Sequence, residues 1–225
     1  MFEKKKEFKL ITKKNPKSLL PNALTIFSVC LGLSSIKFSL DANYAMAIIV
    51  IGFAAILDTL DGRVARLIKG TSKVGKELDS LTDVISFGVA PGFIMYFWTL
   101  NEIGKFGWMF VLIYTVCCAL RLARFNLMVI EENETWKINF FEGVPSPAAA
   151  GLVLLPLILN LSGLFQFENY ALLSSISILT TSILMVSKIP TYSLKRILIP
   201  RHLAIFLLLG IGIYVSLLIF YTFET

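Results

Sequence analysis

Apolar runs long enough to cross a bilayer follow one another from residue 19 to residue 221, separated by short polar breaks. Lipid offers no water to backbone N–H and C=O groups, so runs of this kind fold as helices that satisfy their own backbone. Counted at about 20 residues per span, they give seven helices. These cover 19–36, 43–57 (running on as a helix to about 68), 80–99, 107–124, 147–164, 170–187 and 203–221. With 56% of residues hydrophobic and 16% charged, a soluble globule is excluded. The expected fold is all-α, a polytopic transmembrane helical bundle. Residues 1–18 form a basic cytoplasmic tail and residues 19–225 a single transmembrane domain. No stretch remains for a separate soluble catalytic domain, so any chemistry must sit on the helices. The first span follows a basic tail, as in a signal peptide, but no small-residue cleavage site comes after it, and it is expected to be retained.

The net charge of +6 raises nucleic acid as a partner, but its distribution points to the membrane. Lys4, Lys5, Lys6, Lys9, Lys13, Lys14 and Lys17 lie in the tail, and Arg63, Arg66, Lys69, Lys73 and Lys76 follow span two. Arg121 and Arg124 lie at the end of span four with Lys137 beyond it, and Lys188, Lys195, Arg196 and Arg201 lie between the last two spans. In a seven-span chain these fall on one side of the membrane, against Lys37 and Lys105 on the other. By the positive-inside rule the N-terminus is cytoplasmic and the C-terminus external. No nucleic-acid partner is expected. The link at 187–202 is basic and amphipathic and is expected to lie along the headgroups.

Cys30, Cys117 and Cys118 fall in spans without ligand spacing and are expected as buried thiols. His202 is read as an interfacial anchor. Thr25, Ser28 and Gly32 suit close helix packing through small residues. Pro91 inside span three predicts a kink.

The stretch from Asp58 to Asp83 breaks the apolar pattern. Asp58, Asp61, Gly62, Ala65 and Arg66 share one stripe over two helical turns, and Gly75, Asp79 and Asp83 share another. Gly70, Thr71 and Ser72 separate the two helices. An Asp at a helix centre costs roughly 2.5–3.5 kcal/mol on insertion scales, so four acids here require compensation. The neighbouring ligands are oxygen groups, which suit a hard cation: Mg²⁺ or Mn²⁺ first, with Ca²⁺ as a further option. Four carboxylates also suit a two-metal site acting on a phosphoryl group, and Arg66 offers a fork matched to phosphate oxygens. Spacing alone leaves two other readings open, an ion or proton pathway and structural pairing with Arg63, Arg66, Lys73 and Lys76.

Asp58, Asp61, Gly62, Ala65, Arg66, Gly75, Asp79 and Asp83 match the signature of the CDP-alcohol phosphotransferases at every fixed position and spacing. Further segments resemble the membrane-spanning phosphatidylserine synthase branch of that family. They are PNALT at 21–25, DSLTDVISFGVAPG at 79–92, ALRLARFN at 119–126, FEGVPSPAAAG at 141–151 and MVSKIPTYSLK at 185–195. Ser28 departs from the pattern, which has Asn there.

The resemblance implies transfer of a phosphatidyl group from CDP-diacylglycerol to L-serine, with release of CMP. It implies metal ligation by Asp58, Asp61 and Asp79, with Asp83 joining a second metal and acting as general base. Asn22, Thr25, Gly62, Ala65, Arg66, Ser72 and Gly75 would contact the CDP half. It further implies a homodimer in a bacterial cytoplasmic (inner) membrane, with a cavity open to the cytoplasm and sideways to lipid. Arg121 or Arg124, three apart on one face near the cytoplasmic end of span four, is the expected receptor for serine's carboxylate. A sister enzyme with another acceptor (glycerol phosphate, an inositol phosphate or choline) and a membrane transporter are the alternatives.

Overall fold

The structure is a computed structural model that describes residues 19–68, 73–128, 140–163, 167–187 and 190–192. The helices are α1 (Leu19–Leu40), α2 (Tyr44–Leu67), α3 (Lys73–Asp83), α4 (Ala90–Trp98), α5 (Lys105–Met128), α6 (Ser146–Leu161) and α7 (Tyr170–Val186). A π-helical turn, Val84–Val89, joins α3 to α4 without interruption, and a short 3-10 turn, Leu100–Ile103, leads to α5. Among the described residues, four segments are long and apolar enough to cross a membrane: Leu20–Leu40, Tyr44–Leu67, Val74–Trp98 and Lys105–Asn126. The chain is an integral membrane protein with a polytopic helical bundle.

The count of seven spans holds only in part. Helices α6 and α7 have 16 and 17 residues, so they rise roughly 24–26 Å, short of the hydrocarbon thickness of about 30 Å. The tail 1–18, Gly70–Ser72, His202 and the span expected at 203–221 lie outside the described residues. The bundle is all-helical, as expected, with one short addition among the described residues. A two-stranded antiparallel ribbon pairs β1 (Phe140–Glu142) with β2 (Pro190–Tyr192), in the register Phe140↔Tyr192, Phe141↔Thr191 and Glu142↔Pro190. Where an amphipathic segment was expected on the headgroups, residues 190–192 form a strand. Pro190 sits at its first position, where a missing N–H is tolerated.

The helices pack as their small residues dictate. α1 runs along α2, and Ser28 donates to the Ala54 carbonyl at 3.1 Å across that contact. On its other side α1 meets the π-helical turn. Ser86 donates to the Ser28 carbonyl at 3.3 Å, and a Cβ on Gly32 would collide with Ser86. The apolar core lies between α4, α5, α6 and α7, around Ile94, Met95, Val111, Tyr114, Leu154, Leu157, Ile178 and Met185. Cys118 is buried and Cys117 half-buried, but Cys30 is exposed on the outside of α1, against expectation. A thiol behaves as a small apolar group, and a lipid-facing helix surface has no reason to exclude one.

Pro91 produces a local rewinding of the helix rather than a simple kink. It has no N–H for the carbonyl of residue 87, and its ring crowds that carbonyl. Widening the turn to π geometry relieves the clash, and Ala90 N–H bonds back to Ile85 O. The Phe87 carbonyl is then taken by Tyr114 OH at 2.8 Å and the Gly88 carbonyl by Thr115 Oγ1 at 3.2 Å. Tyr114 is fully buried, so Tyr114→Phe leaves a buried carbonyl without its donor. The expected cost is about 1–3 kcal/mol, read as a lower thermal unfolding midpoint of the detergent-solubilised protein.

Candidate active site

The acids gather near the start of α1, in the last part of α2 and along the second half of α3. Asp58 and Asp61 stand one turn apart on α2, and Asp79 and Asp83 one turn apart on α3. One carboxylate oxygen from each of Asp58, Asp61 and Asp79 lies within 4.8 Å of the others. Asp83 comes within hydrogen-bonding reach of Asp58. The two sequence stripes therefore face each other.

Asp61 is the most buried of the four, and it is held from α1, where Thr25 Oγ1 donates to Asp61 Oδ2 at 2.6 Å. Pro21 O lies 3.0 Å from the same hydroxyl. A hydroxyl has one proton, and the shorter contact to a charged acceptor is the stronger claim on it. The face of α1 that carries Thr25 thus looks at the aspartates, and its role goes beyond helix packing. Asn22 is half-buried one turn earlier.

None of the four carboxylates forms an ion pair with Arg63, Arg66 or Lys76; among the described residues Lys37–Asp41, at the far end of α1, is the ion pair found. Arg66 is exposed and turns its Nε to Gly62 O at 3.1 Å. Structural pairing, one of the readings left open by spacing, therefore has no support among the described side chains. Clustered carboxylates repel unless protonated or shared with cations. Their all-oxygen donor set fits a hard divalent cation, and the buried Asp83 Oδ1, which has no donor, fits the same account.

The other side of the site comes from α5, α6 and α7. Arg121 is 9% exposed. Its Nη1 donates to Ser146 Oγ at 3.0 Å, and its buried Nε has no acceptor. Ser146 Oγ in turn donates to Asp83 Oδ2 at 3.0 Å. Arg124 points elsewhere. Its Nη1 donates to Val186 O at 3.0 Å and so satisfies an end carbonyl of α7. Of the two arginines offered as alternatives for one task, only Arg121 is joined to the acids. Asn126 Nδ2 donates to Ser80 Oγ at 2.9 Å, fastening the end of α5 to α3.

Gly62 has open space where a side chain would begin, with Ala65 half-buried on the next turn. Gly75 lies one turn before Asp79 on α3. Ser72 lies outside the described residues. Ser146 was not singled out from the sequence. The available signal was a polar residue between two prolines, Pro145 and Pro147, at a helix start.

Fold and site together define a membrane-embedded centre with clustered carboxylates at one end of a helical bundle. The profile of the CDP-alcohol phosphatidyltransferase family matches residues 18–191, and the chain belongs to that family. It is 40% identical, over 83% of its length, to a Mycobacterium leprae protein named CDP-diacylglycerol–serine O-phosphatidyltransferase, of which it spans 62%. Proteins of the same name from Helicobacter pylori and Bacillus subtilis are 41% and 34% identical. Those matches cover 81% and 79% of this chain, and 76% and 92% of the relatives.

Thr25→Val removes the donor to Asp61 while keeping the side chain's shape. It is expected to weaken Mn²⁺ binding to the purified protein by about 10–100-fold, the usual effect of losing a partner behind a metal ligand. Titration followed by electron paramagnetic resonance measures this directly.

Proposed function

We propose that this chain transfers a phosphatidyl group from CDP-diacylglycerol to the hydroxyl of L-serine, giving phosphatidylserine and CMP. The observation that carries the reading is the convergence of Asp58, Asp61 and Asp79, none of them paired with a basic side chain among the described residues, with Asp83 beside Asp58. Relatives whose names state this reaction support the choice of acceptor. The lipid donor must stay in the bilayer and serine comes from water, so a site at the cytoplasmic end of the bundle is where they can meet.

Asp58, Asp61 and Asp79 would hold Mg²⁺ or Mn²⁺, with Asp83 at a second ion, and such ions would offset the charge of the diphosphate. The residues of the chain do the rest by positioning. The CDP half lies against the open backbone at Gly62, between the small residues Ala65 and Gly75. Arg66, its Nη groups free toward solvent, takes diphosphate oxygens. Asn22, Thr25 and Ser72 complete the nucleotide side. Arg121 receives the serine carboxylate, supported by its burial and its orphaned Nε. Asp83 takes the proton of the serine hydroxyl. The serine oxygen then bonds to the phosphorus that carries diacylglycerol, the bond from that phosphorus to the CMP oxygen breaks, and CMP leaves. The proposal includes a homodimer in a bacterial cytoplasmic membrane.

The test is CMP release by purified protein given CDP-diacylglycerol and Mn²⁺ or Mg²⁺, with serine, glycerol phosphate, inositol phosphate or choline as acceptor. Release that depends on serine is expected, and release indifferent to serine in every condition overturns the reading. Asp83→Asn should abolish turnover while CDP-diacylglycerol still binds; loss of all nucleotide binding would make Asp83 chiefly a ligand.

Arg121→Gln should raise KM for serine about 10–100-fold, from the loss of a hydrogen bond to a charged group worth about 1.5–3 kcal/mol. Arg124→Gln should instead lower the unfolding midpoint and leave that KM unchanged. Equal KM in the wild type and Arg121→Gln would remove Arg121 from the acceptor site.

A further inference from the structure

We propose that Ser146 is the positioning residue that locks the base, Asp83, to the acceptor-binding arginine, Arg121; this rests on the roles proposed for those two residues. Ser146 Oγ lies 3.0 Å from Arg121 Nη1 and 3.0 Å from Asp83 Oδ2, and the side chain is 1% exposed. A guanidinium can only donate. The single Ser146 proton is therefore committed to Asp83, and the chain of hydrogen bonds runs one way, from Arg121 through Ser146 to Asp83. One oxygen of Asp83 is thereby fixed. The other, Oδ1, is buried and has no donor, and the fixed Oδ2 sets the direction in which it points.

The backbone around Ser146 is built to hold that hydroxyl still. Pro145 (φ −59°, ψ 145°) precedes it and Pro147 follows it at the first turn of α6, so both neighbours have φ set by their rings. Gly143, at φ 76°, brings the preceding turn against the end of α7, where a Cβ would collide with the Met185 carbonyl. Val144 N–H donates to Leu184 O at 3.3 Å. The same end of α7 receives Arg124, so the element that places Ser146 and the helix that carries Arg121 are anchored to one helix terminus. A rigid shell of this kind is what a reacting group needs to stay within a fraction of an ångström of its working position.

Ser146→Ala removes the bridge with almost no change in volume. With the purified full chain, CDP-diacylglycerol, Mn²⁺ and serine, kcat should fall about 10–100-fold. KM for CDP-diacylglycerol should stay within about twofold, because the nucleotide side is untouched, and any drop in the unfolding midpoint should be no larger than that of Tyr114→Phe, which also removes one buried hydroxyl. Ser146→Thr keeps a hydroxyl on Cβ and should recover most of the lost turnover. A buried serine outside the site, Ser174, serves as control, and Ser174→Ala should leave kcat unchanged.

Wild-type release that depends on serine, together with an unchanged kcat in Ser146→Ala, overturns this inference and leaves the proposed function standing. Wild-type protein with no release that depends on serine overturns both. A fall in kcat that Ser146→Thr does not relieve, accompanied by a lower unfolding midpoint, would make Ser146 a structural residue and also overturn the inference.

Discussion

Mutual repulsion among carboxylates governs how this bundle is assembled. Asp58, Asp61 and Asp79 bring oxygens within 4.8 Å of one another, and no basic side chain of the described residues closes on them. In an apolar medium such an arrangement is among the least favourable that a chain can adopt without partners. Everything around it works to impose it. Small residues let α1 lie close enough to deliver Thr25 to Asp61, and the Ser28–Ala54 and Ser86–Ser28 bonds hold α1 against both acid-bearing helices. The apolar core runs from Met95 and Tyr114 to Cys118 and Leu122, beside Arg121, so the packing that stabilises the fold also supports one side of the site.

The site has two halves of different construction. One half is made by α2 and α3, which are adjacent in sequence, and helical spacing places its acids on one face of each helix. The other half is made by α5, α6 and the end of α7, which are distant in sequence, and it exists only because the tertiary fold brings them together. Asp83 belongs to both: it lies in reach of Asp58 on one side and is held through Ser146 by Arg121 on the other.

That difference sets what could be read from the sequence. Asp58, Asp61, Asp79 and Asp83 were legible because an acid in an apolar run is costly and their spacing selects one face of each helix. The helical character was equally legible, since lipid leaves the backbone no other choice. The division of labour between Arg121 and Arg124 was not, because residues three apart on a helix look equivalent until their neighbours are known. Arg124 meets the end of α7, 62 residues away in sequence, and no local pattern announces that contact. The shortness of α6 and α7 was missed because hydropathy reads apolar character and not where the helix hydrogen bonds stop. The β1–β2 ribbon was missed because three-residue strands carry too little alternation to register.

The widened turn between α3 and α4 has one more consequence. A residue added to a helix turns everything beyond it by about 100°. On one side of this insertion, α3 directs its acids at α2; on the other, α4 sets Gly92 against Val111 of α5. A single continuous helix thereby serves two neighbours whose demands are out of phase. Loss of one residue within 84–89 would keep the composition, the hydropathy and the helix itself, yet would misalign the carboxylates with the core. Among homologous chains, this short segment should therefore tolerate exchange of side chains far better than any change in length.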